Sequence, residues 1–490
     1  MACTTILVGK RATNDGSTMI ARNDDSGTGY FNAKKLVLAE PDKQPRKYKS
    51  VISHVQVELP DNPLRYTCMP NVDSKEGKWL AAGINEANVS MTATETITTN
   101  PRVLGADPLV KLIKARGNKR EIPGGIGEED LVLLVLPYIH SAKEGAMRLG
   151  SLLEKYGTYE CNGIAFSDIN EIWWLESIGG HHWIAKKVPD DCYVTMPNQF
   201  GLDTFDLEEA FSSGKENLCS ADLREFIKEN SLDLNPDGKF NPRLAFGSHS
   251  DSDHVYNTPR AWFIERYFNP RSNRWEGDNA DYTPLSDDIP WCRKPERLIT
   301  VEDVKYVLSS HYQGTMYDPY ARFGDNSNKG AYRPIGISRT SFVSLTQLRP
   351  NLPKEIAAIE YFAFGSNVFN AFIPIYTNVH KIPPYFNNTT LKVSTDNFYW
   401  SNRLIGALAD SHFNFCSAHI ERYQDTMASK AHKIISDFDK EYMKKKDLSV
   451  LEKANADLAE MAKEETDKVL DKVLYEVSCH MKNGYSKSDN

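Results

Sequence analysis

Short runs in which apolar and β-branched residues alternate with polar ones dominate the N-terminal part of the chain, and a helical period takes over only near the C-terminus. Residues 4–8 and 17–22 are two such runs, joined by a polar turn ending in Asn14-Asp15-Gly16, and they predict a hairpin. A second hairpin is predicted for 79–84 and 89–94 around Asn85-Glu86-Ala87-Asn88. A third is predicted for 163–167 and 171–176 around Asp168-Ile169-Asn170. The sheet is expected to continue through 183–187 and 193–196, and later strands are expected at 359–364 and 372–377.

Helices interrupt these strands. Asp107 as N-cap, Pro108 at the first helical position, apolar Leu109, Leu112 and Ile113, and Gly117 as the stop predict one short helix. Residues 128–157 predict another, broken near Pro137. From 417 to 482 the chain is dense in Lys and Glu, with Leu451, Ala454, Leu458, Met461, Val469, Val473, Val477 and Met481 at helical spacing. Ser449-Val450-Leu451-Glu452 has the form of a capping box, so a long amphipathic helix is expected there. Its apolar stripe suits packing on its own domain first and a homo-oligomer seam second. The polar stretch 270–290 reads as a surface loop. Strand-rich blocks flank helical ones without strict alternation, which favours an α+β fold with antiparallel sheets over a doubly wound parallel sheet.

Composition narrows the function classes. At 490 residues, with 40% hydrophobic and 25% charged residues, the chain is an ordinary globular protein able to bury a large core. A formal net charge of −8, with no basic stripe, argues against a nucleic-acid partner. No run of about eighteen apolar residues occurs and the N-terminus lacks a secretory pattern, so no membrane span is expected and the compartment is read as cytoplasmic. The eight cysteines are scattered singly, without zinc-like or redox spacing. No metal and no other cofactor are expected.

One of those cysteines carries the chemistry. Cys3 follows Met1-Ala2 and opens the first predicted strand, and removal of both residues would put a thiol and a free α-amine on one residue, a nucleophile beside its base. A thiol near pKa ~8.5 and an α-amine near ~7.7–8.0 differ by about one unit, so one nearby cation tips the balance toward thiolate. The predicted hairpin brings Arg22 to Cys3, and Arg stays charged under all working conditions. The plainer alternative is that Cys3 is a small apolar residue starting a strand.

Cys3 together with Arg22-Asn23-Asp24-Asp25 resembles the N-terminal-nucleophile (Ntn) hydrolases, in particular the bacterial dipeptidase A family, related to secernins, penicillin V acylases and bile salt hydrolases. The resemblance spans nearly the full chain and includes Gly83-Ile84-Asn85-Glu86, Met196-Pro197-Asn198-Gln199-Phe200 and Tyr256-Asn257-Thr258-Pro259-Arg260. It continues through His311-Tyr312-Gln313-Gly314-Thr315, Arg333-Pro334-Ile335-Gly336-Ile337-Ser338-Arg339-Thr340 and Ala363-Phe364-Gly365-Ser366-Asn367. It implies a four-layer αββα sandwich of two antiparallel sheets over residues 1–416, with a helical extension over 417–490.

The resemblance also implies a thiol-dependent dipeptidase of broad side-chain tolerance, with a small peptide as substrate and self-cleavage before Cys3 as the maturation step. Cys3 would be the nucleophile, Arg22 would steady the thiolate and Asp25 would orient the α-amine. Asn198 would help form the oxyanion hole, and Arg260 would hold the polar network together. Strand alternation keeps Asp24 open as a rival to Asp25, because positions three apart face opposite ways on a regular strand. Glu95 is a candidate for binding the substrate's amino terminus. His181-His182 lack a third ligand at metal-like spacing and are read as structural. Two competing readings are an N-acyl amidase of the penicillin or bile salt type and a secernin-like interaction protein without activity. As written, Ala2 blocks the α-amine, so the chain reads as a precursor.

Overall fold

The computed structural model describes residues 3–482, apart from the side chains of residues 93–95. Its strands, in chain order, begin with β1 (Thr4–Val8) and β2 (Thr18–Asp25), followed by β3 (Val37–Ala39), β4 (Lys47–Lys49), β5 (Gln56–Glu58) and β6 (Tyr66–Cys68). Next come β7 (Ala82–Ile84), β8 (Ser90–Thr96), β9 (Asn162–Ser167), β10 (Ile172–Ile178), β11 (His182–Lys187), β12 (Tyr193–Met196) and β13 (Asn217–Cys219). The chain then adds β14 (Cys292–Arg293), β15 (Thr340–Leu348), β16 (Ala358–Phe364) and β17 (Ile373–Tyr376). Among the described residues, one sheet has the order β14-β12-β1-β2-β15-β16-β17 and a second the order β13-β11-β10-β9-β8-β7, with two small ribbons formed by β3-β6 and β4-β5.

Every ladder in the two large sheets is antiparallel. The sheets face one another. Leu7 and Ile20 of the first share a buried cluster with Ala165, Trp174 and Ile184 of the second. Hydroxyls cross the same interface: Ser167 Oγ donates to Thr18 Oγ1 at 2.9 Å and Thr346 Oγ1 to Ser90 Oγ at 3.0 Å. The opposite parity packs outward. Phe166, Trp173, Leu175 and Trp183 meet Ala142, Ala146, Leu149 and Leu153 of the helix Ala142–Tyr156, and Ile6, Val8, Met19 and Ala21 join the cluster that holds the later helices. Burial on both faces explains why β9 and β10 read as nearly continuous apolar runs.

The predicted hairpins are present as β1-β2, β7-β8 and β9-β10. Helices Glu128–Val135 and Ala142–Tyr156 flank a 3-10 turn containing Pro137, with Gly157 at positive φ as the C-cap. Three expectations need correction, and one strand was not predicted. No helix starts at Asp107: the helix runs over Pro101–Ala106, N-capped by Asn100, and Asp107 ends it. The Asp107 carboxylate is taken up by the backbone N–H and Nδ1 of both His181 and His182, and Ile113 is exposed.

Strand β12 joins β1, not β11, so it extends the first sheet. β15, between β2 and β16, was not foreseen. The capping box at Ser449 does not form: Ser449 N–H donates to Asp447 Oδ1 at 3.0 Å, and Glu452 accepts from the His380 backbone at 3.2 Å. The long helices Phe413–Lys445 and Ser449–Cys479 pair with each other and cover β17. There Asn455 closes the sheet edge, accepting from Tyr376 N–H and donating to Tyr376 O, each at 2.9 Å. No helix of the described residues is long and apolar enough to cross a membrane.

Candidate active site

The register of β1 and β2 assembles the site. Thr5 pairs with Arg22 and Leu7 with Ile20, so by the pleat Cys3, Thr5 and Leu7 share a face with Ile20, Arg22 and Asp24. That face looks toward the second sheet, as the cluster around Leu7 and Ile20 shows. Arg22 Nη2 lies 2.9 Å from Cys3 Sγ, 3.2 Å from Asp24 Oδ1 and 2.8 Å from Glu128 Oε1, while Nη1 donates to Ala81 O at 3.3 Å. Cys3, Arg22, Asp24 and Glu128 are all buried. Lys34 completes the group, 3.0 Å from Asp24 Oδ2 and donating to Trp79 O at 2.9 Å.

Burial alone would raise the Asp24 pKa, but Lys34 and Arg22 outweigh it and hold the carboxyl below its ordinary value. Burial pulls Lys34 down in spite of Asp24. Behind Glu128 lies a second layer of acids. Burial, reinforced by the Asp130 charge, pushes Glu129 up to about 7, and burial pushes Asp130 up to about 6. Glu160, which accepts from Glu128 N–H at 2.9 Å, is raised to about 7 by burial and by the Glu128 charge.

Asp25 lies on the other face of β2, with Met19, Ala21 and Asn23. The irregularity beside it falls on β15, between Thr340 and Phe342, so β2 keeps its alternation. Asp25 accepts from Thr340 Oγ1 at 2.6 Å and pairs with Arg333. The structure therefore brings Asp24 to the arginine that touches the thiol, and gives Asp25 to Arg333 and Thr340.

Asn198, just beyond β12, and Arg260, on the helix Thr258–Phe268, join Cys3 from its backbone side. Arg260 is fully buried and each of its five N–H donors has an acceptor. Nε donates to Tyr256 O at 2.8 Å; Nη1 donates to Cys3 O and, at 2.8 Å, to Thr4 Oγ1; Nη2 reaches Asn198 Oδ1 at 2.9 Å and Asn257 Oδ1 at 2.6 Å. Because the guanidinium takes Asn198 Oδ1, the amide nitrogen must point the other way, and Nδ2 donates to Thr96 O at 3.0 Å. Asn257 Nδ2 in turn donates to Asn198 O at 3.1 Å.

Glu95 sits in β8, but its side chain is outside the described residues. His181 and His182 both direct Nδ1 at Asp107, at 2.9 and 2.7 Å, away from this cluster. The ligand atoms of Cys3, Asp24 and Glu128 lie within 4.8 Å of one another, a set able to hold a soft or borderline cation. Arg22 Nη2 is within 3.2 Å of all three, so the guanidinium takes the place such an ion would need. Lys34, Glu128, Asn257 and Arg333 were not singled out from the sequence.

The family model for Peptidase family C69 matches residues 2–426. The chain is 52% identical to a protein named "Dipeptidase" from Bifidobacterium longum and 52% identical to "Probable dipeptidase A" from Streptococcus pyogenes serotype M3, each match covering 100% of both chains. It is 45% identical to "Dipeptidase A" from Lactobacillus helveticus over 90% of this chain and 88% of that one.

Proposed function

From the premise that this chain belongs to peptidase family C69, and so is a cysteine-type peptidase, we propose that it is a dipeptidase using Cys3 as an N-terminal nucleophile. The observation that carries the reading is Arg22 Nη2 held 2.9 Å from Cys3 Sγ at the very start of β1. The two sheets face to face, with helices outside each, support the four-layer αββα Ntn arrangement as the frame of this chemistry.

Cleavage of the Ala2–Cys3 bond frees the α-amine. The amine then takes the thiol proton, giving an ammonium–thiolate pair on one residue. Two cations, Arg22 and Lys34, already face two carboxylates, Asp24 and Glu128, so this internal transfer leaves the charge of the buried cluster unchanged. The sulfur attacks the peptide carbonyl carbon, and Asn198 Nδ2, aimed by Arg260, stabilises the resulting oxyanion. Collapse breaks the C–N bond, the α-ammonium returns its proton to the leaving amine, and water, deprotonated by the same amine, hydrolyses the thioester. Arg260 acts as a positioning residue, fixing both the Cys3 carbonyl and the Asn198 amide. Asp25 anchors Arg333.

The test compares hydrolysis of a dipeptide and of an N-acyl amine by the unaltered protein and by Cys3→Ala. Dipeptide turnover abolished by Cys3→Ala supports the reading. Turnover of the N-acyl amine alone would assign the amidase instead, and dipeptide turnover surviving Cys3→Ala would remove the nucleophile.

A further inference from the structure

A cleft of about 540 Å³ opens between the segments 28–31 and 337–339, with Tyr256 and Arg333 at its base. It is tied to the candidate nucleophile through one arginine: Arg260 donates from Nε to Tyr256 O and from Nη1 to Cys3 O. Three guanidiniums surround the Tyr256 ring, those of Arg260, Arg333 and Arg339, at 5.5, 5.3 and 5.9 Å from its centroid. Arg333 has Asp25 as counter-charge. Arg339 donates to Thr28 Oγ1 at 2.8 Å and to Tyr256 Oη, both neutral, and among the described residues no ion pair engages it. Its Nε is buried without an acceptor.

The walls are fixed in place. Arg403 donates from Nη1 to Ser338 O at 2.6 Å and from Nη2 to Thr340 O at 2.9 Å, and its guanidinium lies 4.2 Å from the Phe31 ring centroid. Trp400 meets the same ring edge-on at 6.0 Å. Tyr30 and Phe31 are 58% and 42% exposed, so the rim offers aromatic surface beside the uncompensated cation.

We propose that this cleft is the subsite for the free α-carboxylate of the substrate, with Arg339 as the residue that binds it and Tyr30 and Phe31 flanking the C-terminal side chain. The proposal rests on the dipeptidase reading. A half-buried guanidinium with only neutral partners is completed by an anion, and the outer nitrogens of arginine suit a carboxylate. It also gives a physical basis for selecting dipeptides. A longer peptide would bring a neutral amide to this position, leaving the cation unpaired, and a site built for a charged group rejects the analogue that lacks it.

The experiment measures KM and kcat for a dipeptide and for its C-terminal amide with the unaltered protein, Arg339→Met and Arg339→Lys, with thermal melts confirming folding. The unaltered protein is expected to show a KM about tenfold to a hundredfold lower for the acid than for the amide, as expected for a hydrogen bond to a charged group. Arg339→Met should raise KM for the acid by that factor, leave the amide unchanged and alter kcat little, and Arg339→Lys should recover part of the loss. Equal use of acid and amide by the unaltered protein, or an equal loss on both substrates in Arg339→Met, overturns the proposal.

Calorimetric titration with a free amino acid, its amide and inorganic phosphate separates a substrate subsite from a general anion site, and phosphate binding as tightly as the amino acid overturns the assignment. Absence of all dipeptide turnover in the unaltered protein would be the failure of the dipeptidase reading itself. The subsite is then decided by the titration, supported by amino-acid binding that Arg339→Met abolishes and overturned by equal binding to both proteins.

Discussion

Replacing Arg22 by Met removes the one nitrogen that touches the Cys3 sulfur, Asp24 and Glu128 together, at 2.9, 3.2 and 2.8 Å. At 2.9 Å and an effective dielectric of about 20, a unit positive charge favours a thiolate by about 6 kcal/mol, on the order of a ten-thousandfold in thiolate population. Asp24 and Glu128 draw on the same charge, and Lys34 remains 3.0 Å from Asp24, so only part of this is lost. We expect about a hundredfold less thiolate at neutral pH in Arg22→Met, and a smaller loss in Arg22→Lys, which keeps the charge but not the fork.

The assay is the rate of Cys3 alkylation by iodoacetamide as a function of pH, read by peptide mass spectrometry because seven other cysteines are present. Taking Arg22 from the buried Glu128, while Asp24 keeps Lys34, costs about 3–5 kcal/mol of stability, so melts define the temperature at which the variants are compared. Superimposable alkylation profiles for the unaltered protein and Arg22→Met would refute the reasoning.

The two neighbouring aspartates should separate by readout. Asp24→Asn should shift the Cys3 alkylation profile, whereas Asp25→Asn, acting through Arg333, should leave that profile in place and raise KM; the reverse pattern would reassign them. Asn198→Ala should lower kcat by about a hundredfold to a thousandfold with little change in KM, as for loss of one oxyanion donor, and an unchanged kcat would remove it from the mechanism.

Glu360, fully buried and accepting from Thr67 Oγ1 at 2.6 Å, is pushed by burial up to about 7. Its folded pKa lies above the ordinary 4.5, so its contribution is complete below about pH 4.5 and is lost as pH rises through 7, a loss of about 3 kcal/mol by pH 8.5. Glu360→Gln should therefore melt progressively above the unaltered protein as pH rises from 5.5 to 8.5, and a constant gap would contradict this.

The hairpins were legible because their apolar runs are short, local and bounded by Asn, Asp and Gly. β15 was not: Thr340, Ser344 and Thr346 face buried partners, Thr340 bonding Asp25, Ser344 bonding Glu360 and Thr346 bonding Ser90, so polar residues sit where alternation reads solvent. The Asp107 helix failed because a good N-cap residue was needed elsewhere, as the common acceptor for two histidines. Cys3 and Arg22 were readable as a pair because a two-strand register joins them. Glu128 and Lys34 reach the same point from segments distant in sequence, and a lone charge in a sequence carries no sign that its partner is buried beside it. Which face of β2 each of Asp24 and Asp25 takes needed the register of β15, where the irregularity lies on the partner strand and leaves β2 regular.

Intact-mass analysis of the purified protein, on the same sample whose dipeptide turnover is measured, tests the central claim most directly. The account predicts that turnover tracks the fraction of chains beginning at Cys3, and that Cys3→Ala both retains Ala2 and is inactive. Full turnover by protein that still carries Met1 and Ala2 would contradict it.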